Sequence, residues 1–309
     1  MASSSPAIVV AGKRLKLSNL DKVLYPAVGF TKAQVIDYYV KVSSYLLPHL
    51  RGRPLTLKRY PEGVDGPYFY EKQCPSHRPE WVQTAPIWSD GKERNIEFCL
   101  ANDLPTLVWA ANLADLELHT SLSLAKAIER PTMMVFDLDP GDPATIVQCC
   151  EVALWLQKHL EAFDLQSFAK TSGSKGLQIY VPINGPVTYD DTKPFAHALA
   201  EQLEREHPDR VVSKMKKSLR AGKVFVDWSQ NDEHKTTVCV YSLRAKQRPM
   251  VSTPVTWAEV AAAAKRGDPD SLAFDAAQAL RRVEERGDLF APVLKLKQRP
   301  ATWSRPAVR

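Results

Sequence analysis

Met133-Met134-Val135-Phe136-Asp137-Leu138-Asp139-Pro140-Gly141 is an apolar run that ends in two acids and a turn signal. In an extended strand successive side chains alternate, so Asp137 and Asp139 share one face while Phe136 and Leu138 share the other. Pro140-Gly141 stops the strand and leaves both acids at its exit. A third carboxylate closes a second strand-like run, Val224-Phe225-Val226-Asp227-Trp228. Acids crowded on one face resist ionising together without a cation, and an oxygen-only cluster suits a hard divalent ion such as Mg²⁺ or Mn²⁺. Such acids hold the paired ions of phosphoryl and nucleotidyl transfer, about 3.5–4 Å apart. An acidic loop at a strand end has the same local sequence, so the decision rests on the rest of the chain.

The chain has 309 residues, 44% of them hydrophobic and 25% charged, the balance of an ordinary globular protein with a substantial core. Met1 to Pro6 is small and polar with no apolar stretch behind it, so no signal peptide is read. No run approaches the roughly 18 apolar residues that span a membrane. The five cysteines, Cys74, Cys99, Cys149, Cys150 and Cys239, are odd in number and form no CxxC pair. Free thiols, a reducing cytoplasmic location and no zinc site are therefore expected. Net charge is +6. Its distribution matters more: Lys214, Lys216, Lys217, Arg220 and Lys223 run without an acid into the strand that ends at Asp227. Arg51, Arg53, Lys58 and Arg59 precede an aromatic cluster. A basic run that leads into a carboxylate site reads as a phosphate track.

Local signals place the elements. Thr31-Lys32-Ala33-Gln34 is a capping box for a helix whose core stripe is Val35, Tyr38, Tyr39, Val42 and Leu46. Extended segments follow at 55–59 and 68–72, a helix at 104–114 and a strand at 115–120. Pro143 is read as opening a second helix, and a strand at 177–183 leads to a helix at about 192–206. Runs 224–228 and 236–243 are read as a hairpin across Asn231-Asp232. Thr256 with Glu259 caps a further helix, and 275–286 forms the last. The class is α/β, of the α+β type, with no strict βαβ alternation.

Several constellations fit an anionic ligand. Ser172-Gly173-Ser174-Lys175-Gly176 can turn backbone N–H groups, hydroxyls and one ammonium toward a phosphate, although a tight turn has the same composition. Gln178, alternating against Leu177 and Ile179, is placed on the face toward which that loop points. Arg220 and Arg244 have the fork that matches phosphate oxygens, and Lys223 and Lys235 add cations; surface ion pairing is the alternative for each. Phe69 and Tyr70, beside Lys58, Arg59 and Lys72, read as a base-stacking platform, or Phe69 as core. Lys22 and Lys32 flank a turn and a helix start, where exposed lysine is the default.

Taken in order, Asp-Lys-Val-Leu-Tyr-Pro (21–26), Tyr-Phe-Tyr-Glu-Lys (68–72), Val-Phe-Asp-Leu-Asp-Pro-Gly (135–141) and Lys-Thr-Ser-Gly-Ser-Lys-Gly-Leu (170–177) form one pattern. The blocks 217–231 and Tyr-Ser-Leu-Arg (241–244) continue it. The pattern resembles the bacterial ligase D polymerase domain, a branch of the archaeo-eukaryotic primase superfamily, over roughly residues 15 to 295. The resemblance implies a primase-like fold of mixed and antiparallel sheets flanked by helices. It implies one domain over 1–309, with a DNA-contacting subregion 1–130, a catalytic subregion 131–295 and a basic tail 296–309.

It also implies a nucleotidyltransferase using two divalent ions, Mn²⁺ preferred and Mg²⁺ possible. That enzyme would add NTPs or dNTPs to DNA ends in non-homologous end joining, near the nucleoid, beside Ku and a DNA ligase. Position by position it makes Asp137, Asp139 and Asp227 the metal ligands. Ser172, Lys175, Arg220 and Arg244 hold the triphosphate, with His119 bordering that pocket. Lys22 and Lys32 grip a downstream 5′-phosphate, and Phe69 and Tyr70 stack on the template. One position departs: the family usually has histidine where this chain has Gln178, a nucleotide-binding residue whose amide can still donate one hydrogen bond to a phosphate but carries no charge.

Two rivals are weighed. Val-Phe-Asp-Leu-Asp also resembles the nucleophile strand of haloacid-dehalogenase-type phosphatases, but Gly141 stands where that family has threonine. A non-enzymatic DNA-end-binding module would leave the three carboxylates free to drift, yet all three remain.

Overall fold

A computed structural model describes residues 7–300, so Met1–Pro6 and the 301–309 part of the basic tail lie outside it. Two compact units divide the chain. The described parts of Met1–Ser121, Val238–Val251 and Phe274–Gly287 form the first; those of Leu122–Thr237, Ser252–Ala273 and Asp288–Arg309 form the second. Among the described residues no helix is long and apolar enough to cross a membrane.

The first unit is organised around helix Lys32–Leu50, whose capping box at Thr31 and Gln34 forms as expected. Val35, Tyr38, Tyr39, Val42 and Leu46 are all fully buried. The buried hydroxyls find partners: Tyr38 donates to the Tyr241 carbonyl and Tyr39 to that of Leu116, both at 2.8 Å. A sheet runs Asp115–Thr120, Leu55–Arg59, Arg94–Cys99, Thr84–Ser89, with Phe69–Glu71 paired on Leu55–Arg59. The Thr84–Ser89 and Arg94–Cys99 hairpin was not legible in the sequence.

Cys74 and Cys99 form a disulfide, which corrects the expectation of five free thiols. Strand pairing causes it: the Cys74 N–H donates to the Glu97 carbonyl and so brings Cys74 beside the end of that strand. Cys149, Cys150 and Cys239 are free and buried.

The second unit is built on a six-stranded sheet in the order Val211–Val212, Val224–Asp227, Met133–Pro140, Leu177–Pro182, Phe168–Thr171, Pro254–Val255. All pairs are antiparallel except Val211–Val212 with Val224–Asp227. Phe136 and Leu138 are fully buried, while Asp139 is exposed, as alternation demands. Helices Ile146–Glu161 and Tyr189–Glu206 pack on the sheet.

Two local expectations are corrected here. Helix Ile146–Glu161 is opened by Thr145, not Pro143, because the Thr145 hydroxyl accepts from Val147 N–H and Gln148 returns to Thr145 N–H. The hairpin across Asn231-Asp232 does not form. Asp227 leads into a 3₁₀ turn, Trp228–Gln230, and the segment Val238–Val251 belongs to the first unit, where Cys239 N–H donates to the Leu118 carbonyl.

Candidate active site

Strand register in the second unit builds a row of four side chains. Asp137 lies directly opposite Asp227 on one neighbour and Gln178 on the other, and Gln178 lies opposite Lys170. Directly opposed residues project to one face, so the row runs Asp227, Asp137, Gln178, Lys170, with Asp139 two residues further along the same face.

Burial raises the pKa of the Asp137 carboxyl, and the charges of Asp139 and Asp227 push it the same way; a Gln178 hydrogen bond and the Lys170 charge oppose them. Its Oδ1 is buried without a hydrogen-bond partner. Asp227 Oδ1 accepts from Ser229 N and Oγ at 3.0 and 2.6 Å, and Oδ2 accepts from Gln230 Nε2 at 2.7 Å. Lys235, read as a phosphate donor, donates to Ser229 Oγ. Among the described residues no group of three His, Cys, Asp or Glu is drawn together around an ion position. The donor chemistry nevertheless suits a hard cation: oxygen only, with one buried carboxylate oxygen left unbonded among like charges.

Lys170 is the residue that sequence reasoning missed. It is 1% exposed, and its Nζ donates to Gln178 Oε1 and to Ser252 Oγ, the latter at 2.7 Å. Gln178 is itself only 3% exposed, so its amide oxygen serves a buried ammonium. The available signal was a lysine inside the strand-like run Phe168-Ala169-Lys170-Thr171, since a buried charge needs partners.

Two loops approach the carboxylate strand so closely that only glycine fits. A Cβ at Gly176 would lie 2.1 Å from the Leu138 carbonyl oxygen, and one at Gly141 would lie 1.9 Å from that of Arg220. Ser172 Oγ accepts from Ser174 and Gly176 N–H, so the hydroxyl read as an anion donor closes its own loop. Lys175 makes an exposed 3.3 Å pair with Asp142. Arg220 donates to the Met215 carbonyl and lies 3.7 Å over the Phe225 ring. Gly176→Ala is expected to destabilise the protein by ~1–3 kcal/mol, the scale of forced overpacking. Gly91→Ala, where a Cβ meets nothing within 4 Å, is the control. Equal melting temperatures for the two variants would contradict the close approach.

The first unit gathers a different set. Tyr70 lies opposite Lys58, and Lys58 opposite Glu117, with His119 two residues beyond on the Glu117 strand. Phe69 points to the opposite face with Arg59, whose guanidinium lies 5.2 Å from the Phe69 ring and pairs with Glu71. Phe69 and Tyr70 are 43% and 56% exposed, which removes the core reading of Phe69. Lys58 sits 3.3 Å from Glu117 and 4.6 Å from the Tyr68 ring centre.

Lys32 occupies the first position of its helix, is buried, and reaches Ser18 Oγ. Burial, with the Lys22 and Arg59 charges, lowers its pKa to about 8. Its N–H donates to the Lys22 carbonyl, which ties the two lysines together, and Lys22 Nζ pairs with Glu62 at 2.9 Å. His119 and Arg244 belong to this unit, and the three aspartates to the other.

Residues 31–290 match the family model described as LigD, primase-polymerase domain. The chain belongs to the LigD primase-polymerase domain family. It is 43% identical over 285 residues to the multifunctional non-homologous end joining protein LigD of Mycolicibacterium smegmatis, covering 91% of this chain and 36% of that one. The bifunctional LigD of Bacillus subtilis is 33% identical over 248 residues, 80% of this chain and 39% of that protein. The chain thus spans little more than a third of the length of these curated relatives. Among solved structures, the polymerase domain of Mycobacterium tuberculosis Ligase D in complex with DNA superposes with a TM-score of 0.83 at 39% identity. That match covers 92% of this chain and 99% of the other. Membership in the LigD family makes the chain a primase-polymerase-type nucleotidyltransferase with the primase-like fold read from the sequence, and it excludes the haloacid-dehalogenase reading.

Proposed function

We propose that this chain adds ribo- or deoxyribonucleotides to DNA 3′ ends at gaps and breaks, as the polymerase of non-homologous end joining in the cytoplasm, at the nucleoid. The observation that carries the reading is the Asp227, Asp137 pairing with Asp139 on one sheet face, in a chain of this family. Asp137, Asp139 and Asp227 are the residues that hold divalent metal, two ions with Mn²⁺ preferred over Mg²⁺. The ions, when bound, supply Lewis-acid stabilisation of the attacking and leaving oxygens.

The chain's own residues do the rest. Arg220, Lys175 and the Ser172 loop bind the incoming triphosphate, and Gln178 supports Asp137 from within the sheet. Arg244 and His119 are assigned to nucleotide binding by the family resemblance alone. Lys58, Arg59, Phe69 and Tyr70 contact DNA. Ku and a DNA ligase are the partners such an activity requires to complete a joint.

Primer extension on a gapped duplex, with each nucleotide type and each metal, tests the reading. Template-directed addition is the expected result. A folded protein that binds gapped DNA and extends nothing would return the chain to the end-binding reading.

Lys22 and Lys32 are assigned to the downstream 5′-phosphate, which also suits the helix N-terminus that Lys32 begins. Removing that phosphate is expected to weaken binding to gapped DNA by ~1–3 kcal/mol at pH 7. Because the Lys32 pKa is lowered to about 8, its charge is present below that pH and lost above it. The preference for phosphorylated DNA should therefore shrink between pH 7 and 9. Fluorescence anisotropy with the two DNAs checks this, and a preference that is absent at pH 7 or grows with pH contradicts it.

A further inference from the structure

The first unit contains a buried acid to which neither the sequence reading nor the proposed mechanism gives a role. Glu117 is 1% exposed and gathers four hydrogen-bond partners and an ion pair with Arg244. Its Oε2 lies 3.0 Å from His119 Nε2, 3.2 Å from Arg244 Nε and 3.3 Å from Lys58 Nζ. Its Oε1 accepts from Tyr60 Oη at 3.3 Å and from Ala245 N–H at 3.1 Å. We propose that Glu117 is the positioning residue of this unit's nucleotide-facing side, fixing which nitrogen of His119 carries the hydrogen and pre-setting Lys58 and Arg244 around one oxygen. The functional half of this inference rests on the assignment of His119 and Arg244 to nucleotide binding.

The argument begins with charge. Burial alone would raise the Glu117 pKa, but the His119 hydrogen bond and the charges of Arg244 and Lys58 outweigh it and hold the group well below the usual carboxylate range. An ionised carboxylate accepts and cannot donate, so the 3.0 Å contact requires the hydrogen on His119 Nε2. Burial lowers the His119 pKa despite Glu117, which keeps the ring neutral and makes Nδ1 its acceptor atom. One acid against Lys58 and Arg244 leaves a surplus positive charge, and a phosphate is the class of ligand that complements it.

The backbone supports the same side chains. Tyr25 Oη donates to the Arg244 carbonyl, Tyr39 Oη accepts from Leu243 N–H, and Ser242 Oγ accepts from Leu118 N–H. These bonds hold the Leu243–Ala245 strand beside Asp115–Thr120, and the Ala245 N–H bond locks the carboxylate to that strand. Side chains fixed before the ligand arrives lose less freedom when it binds.

Glu117→Gln tests this because it conserves shape and reverses chemistry. The amide must present NH₂ on one side: turned toward Ala245 it meets a backbone N–H, and turned toward His119, Lys58 and Arg244 it meets their donors. The Ala245 N–H cannot give way, whereas His119 can, by moving its hydrogen to Nδ1. Long-range ¹H–¹⁵N spectra of the whole protein, with the His119 signal identified by its loss in His119→Gln, read the tautomer directly. The expected result at pH 7 is Nε2–H in the unmodified protein and in Glu117→Asp, and Nδ1–H in Glu117→Gln. Nucleotide KM in primer extension should rise about tenfold in Glu117→Gln with kcat changed less than threefold, and Glu117→Asp should restore most of the loss.

Nε2–H in all three proteins with an unchanged KM overturns the proposal, as does Nδ1–H in the unmodified protein, which needs no variant to fold. A protein that extends no primer overturns the polymerase reading instead. The spectra would still decide whether Glu117 sets the ring.

Discussion

Asp137→Asn combined with Asp139→Asn is expected to abolish nucleotide addition, with a loss of at least about a thousandfold, or ~4 kcal/mol of barrier. The size follows from what the acids do: removing two of three anionic oxygen donors removes the groups that hold metal, and metal supplies several kcal/mol of transition-state charge stabilisation. Asparagine keeps the size of each side chain, so the row across the sheet is preserved.

The effect on stability should be opposite in sign. The Asp137 pKa is raised in the folded protein to about 7, so stability is lost as the pH climbs from the unfolded carboxylate value to that one, and the full cost is present above it. Asparagine removes that cost, and the metal-free double variant should melt no lower than the parent at pH 8. Affinity for gapped DNA should stay within about threefold, because the DNA contacts assigned here lie on Lys22, Lys32, Lys58, Arg59, Phe69 and Tyr70. Primer extension, thermal melting and anisotropy measured on the same preparation check the three parts. Retained extension by the double variant would remove the metal assignment.

Lys170→Met is expected to give the second-largest loss, about 30- to 100-fold in primer extension. Methionine conserves length but deletes the charge and both donors. Two hydrogen bonds from a charged group, each ~1.5–3 kcal/mol, hold Gln178 and Ser252 in place, and only part of that energy bears on Asp137. Methionine removes the cost of burying a charge but leaves Gln178 Oε1 and Ser252 Oγ without that donor, so stability should fall by no more than ~1–3 kcal/mol. A 30- to 100-fold loss of activity in a protein still folded at the assay temperature is what a purely structural lysine would not produce. Extension within threefold of the parent would show that Lys170 only holds the sheet. The same geometry bears on the departure from the family at Gln178. With its oxygen against the Lys170 ammonium, a histidine there would set an imidazole nitrogen beside a buried cation.

The sequence by itself determined what depends on neighbours a few residues away. Helix starts at Thr31, Thr256 and Asp275 were readable because each capping box closes within four residues. The shared face of Asp137 and Asp139 followed from alternation along one strand, and the exit turn from Pro140-Gly141. The resemblance reached further and gave expected roles to His119, Lys22 and Lys32, because family motifs carry long-range information that periodicity lacks.

Tertiary structure alone decided the pairings. Nothing local sets Asp227 opposite Asp137, joins Lys170 to Ser252 across 82 residues, or brings Arg244, Lys58 and His119 to one oxygen of Glu117. The same reason explains the errors. The Asn231-Asp232 hairpin was drawn from two adjacent strand-like runs, but strands choose partners by burial and register rather than by adjacency. Cys74 and Cys99 looked unrelated until strand pairing brought them together. Buried charges were the hardest to see, because Lys170 and Glu117 look like surface residues in a sequence. They are tolerated inside only because distant parts of the chain supply their partners.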